Sequence, residues 1–302
     1  MSFRKRLAYA GRHFTPTWRY GFNLKATLAY RRERSSMPEL SDAAARVLDD
    51  LNRTGIAITT VDRLPGVSDS FIELSEAIES LEKEWAERIE HSRAEADNHL
   101  IGRKTFILEL LGRRPRLDSQ STFARFALQR EILSIANSYF GMFTQLRYYN
   151  VWHTLTTTSP PRESQLWHHD REDHLILKLF VYYTDVDDGA GAITYAPGTH
   201  RKGSVRKTPE SFIENGVRRC MDEQLAKVVP KEKWISGAGP KGVMVFADTR
   251  GYHKGGLART NERIMFTCMF TSPTAQVADL FDRPSETQFP SDRMQAFALT
   301  RG

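Results

Sequence analysis

The chain has 302 residues, 40% apolar and 26% charged, which excludes a disordered chain, a collagen-like repeat and a disulfide-dense scaffold. It contains nothing near the ~18 consecutive apolar residues of a membrane span. Its two cysteines, Cys220 and Cys268, have no metal-ligand spacing and build no disulfide framework, so a reducing, cytoplasmic setting is the expectation. The formal charge of +6 is uneven: residues 1–36 carry nine Lys and Arg against Glu33 alone, so this segment is +8 and the remainder −2. A slightly acidic body argues against nucleic acid as a partner, because neutralising phosphates takes a basic face.

Residues 1–36 read as a basic aromatic arm, in which Phe3, Tyr9, Phe14, Trp18, Tyr20, Phe22 and Tyr30 are interleaved with the cations. Such a segment suits peripheral contact with an anionic membrane. It equally suits rings packed on the body with the charges left in water, and its acid-poor composition resembles an organelle-targeting segment. A helix is predicted to start after the N-cap Ser41, to bury Leu48 and Leu51, and to stop at Gly55. Ile56 to Val61 reads as a short strand. Residues 68–95 place Phe71, Leu74, Ile78, Leu81 and Trp85 at spacings of three or four, which predicts one amphipathic helix. A second, more buried helix is predicted over 122–140. Beyond Gly141 the β-rich runs 143–156, 175–184, 192–195, 242–246 and 263–271 are separated by turn residues, the spacing of a sandwich or barrel. A helical insert at about 208–227, with Thr208 as N-cap and Pro209 at N1, is expected between them as a lid.

The chemistry concentrates in Gln165-Leu-Trp-His-His-Asp-Arg-Glu-Asp-His174. His168 and Asp170, two residues apart, share a face if they flank a strand end. His253, after another strand and turn, is the candidate third ligand. Two imidazoles and one carboxylate leave three coordination positions open, which suits a non-haem Fe(II) oxygenase. The same set suits a zinc hydrolase, and a non-catalytic jelly-roll binding module is a further alternative. Arg263 heads an apolar strand and should meet a buried anion, since an unpaired buried charge is very costly. A dicarboxylate held by the guanidinium fork would supply it, as would a structural salt bridge. His169, His174, His153 and His200 read as structural or rim residues.

Taken in order, Trp167-His168-His169-Asp170, the Gly191 to His200 stretch with its Pro197-Gly198-Thr199-His200 turn, His253 and Arg263 resemble the phytanoyl-CoA dioxygenase family of Fe(II)/2-oxoglutarate-dependent oxygenases. The layout matches over about 40–270, and the motifs are specific at 165–202 and 242–266. The resemblance implies an α+β chain with a mainly β core, a double-stranded β-helix (jelly roll) with flanking helices over 37–302. It implies Fe(II), 2-oxoglutarate and O₂ as cofactor and co-substrates. His168, Asp170 and His253 would hold the metal, Arg263 the distal carboxylate of 2-oxoglutarate, and Phe180 would lie beside that co-substrate. The retained Asp170 implies hydroxylation or another oxidative outcome rather than halogenation. Lys254-Gly255-Gly256 departs from the pattern by offering no hydroxyl where some members have a serine. The general plan also resembles enzymes that hydroxylate the lipopolysaccharide sugar Kdo. With Arg171, Arg201 and Lys202 after the motif loops, this gives a small-molecule or lipid-linked, anionic substrate as the expectation.

Overall fold

Ser41 Oγ accepts a hydrogen bond from Ala44 N at 3.2 Å and opens the helix Asp42–Thr54, which Gly55 ends in the left-handed region at φ +88°. A side chain at Gly55 would collide with Tyr195 Oη and His200 Nδ1, so both the backbone angle and the close approach require glycine. These elements belong to a computed structural model that describes residues 11, 14–98, 104–284 and 290–300. Phe3, Tyr9 and the cations before Gly11, with Arg12, lie outside the described residues, as does His99.

The predicted helix over 68–95 is two helices, Val67–Glu84 and Ala86–Glu95, broken at Trp85. The break lets each half reach its own partners: Leu74 and Ile78 join the main core, and Ile89 packs with Leu155. Likewise 122–140 divides into Thr122–Ala127 and Arg130–Phe140, because Gln129 turns extended (φ −54°, ψ 138°).

Eleven strands are described: β1 (Ile56–Thr60), β2 (Ile107–Glu109), β3 (Gln145–Thr154), β4 (Leu177–Tyr182), β5 (Thr194–Tyr195), β6 (Phe212–Glu214), β7 (Val217–Arg219), β8 (Ile235–Ser236), β9 (Val243–Asp248), β10 (His253–Lys254) and β11 (Arg263–Thr271). They form an antiparallel sheet in the order β1-β9-β4-β11-β3-β2 and a smaller one in the order β10-β5-β8. Alternate residues of the large sheet face opposite layers. Leu177, Leu179 and Val181 of β4, with Met244 and Phe246 of β9, pack against the helices. Phe180 and Tyr182, with Val243, Val245 and Ala247, pack against Ile193 and Tyr195 of the smaller sheet. With both faces covered, these strands read as continuous apolar runs rather than as an alternation. The fold is the jelly roll with flanking helices.

One expectation fails here. Thr208 caps no helix: residues 208–211 have no helical turn, the chain enters the β6–β7 hairpin, and the helix in this region is Asp222–Ala226. Asn215 (φ +51°) and Gly216 (φ +79°) take the two left-handed positions of a tight hairpin turn. That local preference of Asn-Gly outweighs the Pro209 start.

The described part of the arm packs on the body. Trp18 is fully buried and its Nε1 donates to Asp173 Oδ1 at 3.0 Å; Arg19 Nη2 donates to the Phe140 carbonyl at 2.9 Å. Tyr30 meets Phe143 edge-on. Phe14, Tyr20, Leu24 and Leu28 remain exposed. Among the described residues no helix is long and apolar enough to cross a membrane.

Candidate metal centre

His168, Asp170 and His253 converge, with one potential ligand atom from each within 4.8 Å of the others. His168 and His253 face each other across an antiparallel bridge. Their backbones exchange two hydrogen bonds, His168 N to His253 O at 3.0 Å and His253 N to His168 O at 2.9 Å, and the ring centroids lie 4.4 Å apart. His168 thus sits on a bridge to β10 rather than at the end of a long strand. Asp170 is anchored by its N–H to the Thr249 carbonyl at 2.8 Å, so the backbone holds all three residues.

Each imidazole is oriented from behind. His168 Nδ1 lies 2.8 Å from the Leu166 carbonyl and His253 Nδ1 3.0 Å from the Gly251 carbonyl. A carbonyl only accepts, so Nδ1 carries the proton in both rings and each Nε2 lone pair points inward, the tautomer a metal requires. Burial, with the other imidazole alongside, pushes His168 well below the ordinary imidazole range, and burial also pushes His253 down. Both are therefore neutral donors at physiological pH. The Nε2 atoms stand 3.9 Å from Asp170 Oδ1 and Oδ2 respectively.

Asp170 has a partner that the sequence reading did not single out. Lys178 Nζ lies 2.7 Å from Asp170 Oδ2, with both side chains almost fully buried. Burial alone would raise the Asp170 carboxyl, but the Lys178 charge, the two imidazoles and the hydrogen bond from Lys178 together outweigh it and hold the carboxyl far below the usual range. Lys178 interrupts the apolar run of β4. The argument applied to Arg263, that a lone cation in such a strand needs a buried anion, would have found it.

Arg263 lies in the same cavity, of about 270 Å³, only 4% exposed. Its Nη1 donates to the Gly191 carbonyl and its Nη2 lies 3.5 Å from Thr154 Oγ1, while its Nε is buried with no partner. Among the described residues no carboxylate pairs with it, since Glu262 next to it turns away to Arg93 and His153. Thr154 supplies a hydroxyl beside the guanidinium, where Lys254-Gly255-Gly256 has none. Phe180, Tyr148, Trp152 and Met265 form apolar wall, and Trp152 Nε1 is buried and unpartnered. The described lining includes the cations Lys104, Arg113, Lys178 and Arg263 against Glu109, Asp170 and Glu172.

His153 pairs with Glu262 at 2.7 Å, and His200 is buried beside Gly55 with Nε2 3.3 Å from the Asn52 carbonyl; neither joins the cavity. Arg201 lines a different cleft, and Lys202 Nζ is bound to the Tyr139 carbonyl at 2.6 Å.

No family model matches the chain, and no curated protein sequence matches it. Among solved structures it is similar to EctD from S. alaskensis with 2-oxoglutarate and 5-hydroxyectoine, at 16% identity and a TM-score of 0.53 over 88% of this chain and 90% of that one. It is also similar to EctD with bound Fe (15% identity, TM-score 0.52, 82% and 91% covered). The epimerase SnoN, in complex with Fe3+, alpha ketoglutarate and nogalamycin RO, matches at 16% identity and a TM-score of 0.48 over 83% and 93%. At these identities the likeness is one of fold.

Proposed function

We propose that the chain is an Fe(II)- and 2-oxoglutarate-dependent dioxygenase that hydroxylates a C–H bond of an anionic small-molecule or lipid-linked substrate, releasing succinate and CO₂. One observation carries this reading: the His168, Asp170 and His253 cluster shares its cavity with a buried arginine that has no carboxylate partner among the described residues. The donor set fits the metal, because two neutral imidazole nitrogens and one carboxylate form a facial set with open positions. The buried, incompletely satisfied Arg263 fits the far end of a dicarboxylate, which would remove the cost of an unpaired interior charge. The resemblance to phytanoyl-CoA dioxygenases and the fold shared with EctD support the same reading.

When bound, iron with 2-oxoglutarate supplies the oxidising power that activates O₂. The chain supplies everything else. His168, Asp170 and His253 fix one face of the centre. Arg263, with Thr154 beside it, orients the co-substrate, and Phe180 and Trp152 exclude water from the reacting side. Lys104 and Arg113, exposed at the cavity lining, favour an anionic substrate. We further propose that the arm touches an anionic membrane through the exposed Phe14, Tyr20, Leu24 and Leu28, which lie among Lys25, Arg31 and Arg32.

The test is succinate formation from 2-oxoglutarate with Fe(II) present. His253→Ala is expected to abolish it, and Arg263→Ala to raise the KM for 2-oxoglutarate by ~30-fold or more, the loss of a charge-assisted fork. Metal-dependent hydrolysis supported by Zn(II), with no succinate, would instead make the centre a zinc hydrolase. An unchanged KM in Arg263→Ala with lower thermal stability would make Arg263 a structural residue.

A further inference from the structure

Two of the three candidate ligands are set by one tight turn, Asp248 to Gly251, between β9 and β10. The Thr249 carbonyl receives the Asp170 N–H at 2.8 Å, the Gly251 carbonyl receives His253 Nδ1–H at 3.0 Å, and Arg250 Nη1 donates to the Asp170 carbonyl at 2.7 Å. A displacement of this turn therefore moves Asp170 and His253 together. The Asp248 side chain is fully buried and is not part of the lining of the metal cavity. Its carboxylate accepts three hydrogen bonds, each from a different stretch of chain. Oδ2 accepts from Tyr139 Oη at 2.6 Å, on the helix Arg130–Phe140, and Oδ1 accepts the N–H of Arg250 at 3.0 Å and that of Ile176 at 3.4 Å. Ile176 lies on the run from Asp170 into β4, and its carbonyl accepts the Thr249 N–H at 3.0 Å.

The backbone of Asp248 is held as firmly. Its carbonyl accepts the Gly251 N–H at 2.9 Å and Tyr195 Oη at 2.7 Å. Tyr195 is the residue opposite His253 in the β5–β10 pair, and a side chain at Gly251 would collide with its hydroxyl. Asp248 forms no ion pair among the described residues. A buried carboxylate without a cation is costly unless its hydrogen bonds are made, and here they bind the turn to the helical layer on one side and to the Asp170 segment on the other. We propose that Asp248 is a positioning residue of the metal centre. Through its turn it fixes the Asp170 backbone and the His253 tautomer, and Tyr139 is its anchor on the helical layer. Both oxygens of a carboxylate accept, whereas an amide would present a donor either to Tyr139 or to the two N–H groups. This role rests on the metal reading proposed above.

The experiment compares the full chain with Asp248→Asn, Tyr139→Phe and Ile135→Val, the last a core truncation on the same helix as Tyr139. Mn(II) affinity is measured by titration calorimetry, with His253→Ala locating the binding in the cavity. The His253 tautomer is read in the metal-free protein by long-range ¹H–¹⁵N correlation of labelled histidine, assigned by the signal missing in His253→Ala. Asp248→Asn is expected to weaken Mn(II) binding about tenfold or more and to convert the single Nδ1–H form of His253 into a mixture. Tyr139→Phe is expected to change both in the same direction, with affinity falling about threefold for one lost hydrogen bond, and it decides the matter if Asp248→Asn does not fold. Ile135→Val should lower the Tm and leave both readings unchanged. An unchanged tautomer, an unchanged affinity, or equal weakening in Ile135→Val makes Asp248 a structural residue and overturns the proposal. No Mn(II) uptake by the wild type refutes the metal reading instead, and the tautomer alone then decides whether Asp248 positions His253.

Discussion

Lys178 holds a buried carboxylate whose proposed role is to face a cation. Removing one partner of a buried pair leaves an uncompensated charge, typically at a cost of about 3–5 kcal/mol. Lys178→Met is therefore expected to lower the Tm of the metal-free protein. A divalent cation restores the missing countercharge, so Mn(II) should raise the Tm of the variant more than that of the wild type, a comparison read by calorimetry. An equal gain in both proteins would mean that Asp170 does not face the ion. The meeting of His168, Asp170 and His253 was legible in the sequence, because few residue types bind metal and their spacing around strands is restricted. The carbonyls of Leu166 and Gly251 that set the two tautomers were not legible, since every residue carries a carbonyl and only the fold selects which one lies behind the ring.

Helix ends follow local rules, and Ser41 and Gly55 could be read directly. Gly55 also anchors the end of β9, because Asp248 N donates to its carbonyl at 2.8 Å, just before the turn that leads to the candidate ligand His253. Gly55→Ala would force a Cβ into Tyr195 and His200 at a left-handed angle. It is expected to cost about 3 kcal/mol, measured by urea denaturation, from strain and overpacking together. The breaks at Trp85 and Gln129 were not legible, because periodicity continues across them and only the separate clusters receiving each half decide the bend. The β6–β7 hairpin was legible from Asn215-Gly216, but Pro209 drew the reading toward a helix.

Across the whole molecule, distant segments are tied by side chains that no local pattern pairs. Glu262 joins Arg93 at 2.7 Å and His153 at 2.7 Å, linking the helix Ala86–Glu95 to the sheet. Burial would raise its carboxyl, but hydrogen bonds from His153 and Arg93 outweigh this and lower it from 4.5 to about 2. A depressed folded-state value gives stability that is present above 4.5 and lost as pH falls toward 2. Glu262→Gln should therefore lower the Tm at neutral pH, by the equivalent of about 1 kcal/mol for this partly exposed group. The gap to wild type should close across that acid window in a pH series of melts. The arm divides similarly: Trp18 is buried and unavailable to lipid, whereas Leu24 and Leu28 are exposed. Leu24→Glu/Leu28→Glu is expected to leave the Tm unchanged and to reduce sedimentation with anionic vesicles about tenfold, an effect read at low salt where surface charge is least screened. Unchanged sedimentation would remove the arm from the membrane.

The paired backbones of His168 and His253 belong to the hydrogen-bonded frame of the molecule, not to a loop that an ion must gather. If the proposed centre takes up its ion, folding is expected to be complete before that step. Scarcity of the metal would then govern what fraction of the molecules is active, while leaving their lifetime in the cell to the core beneath.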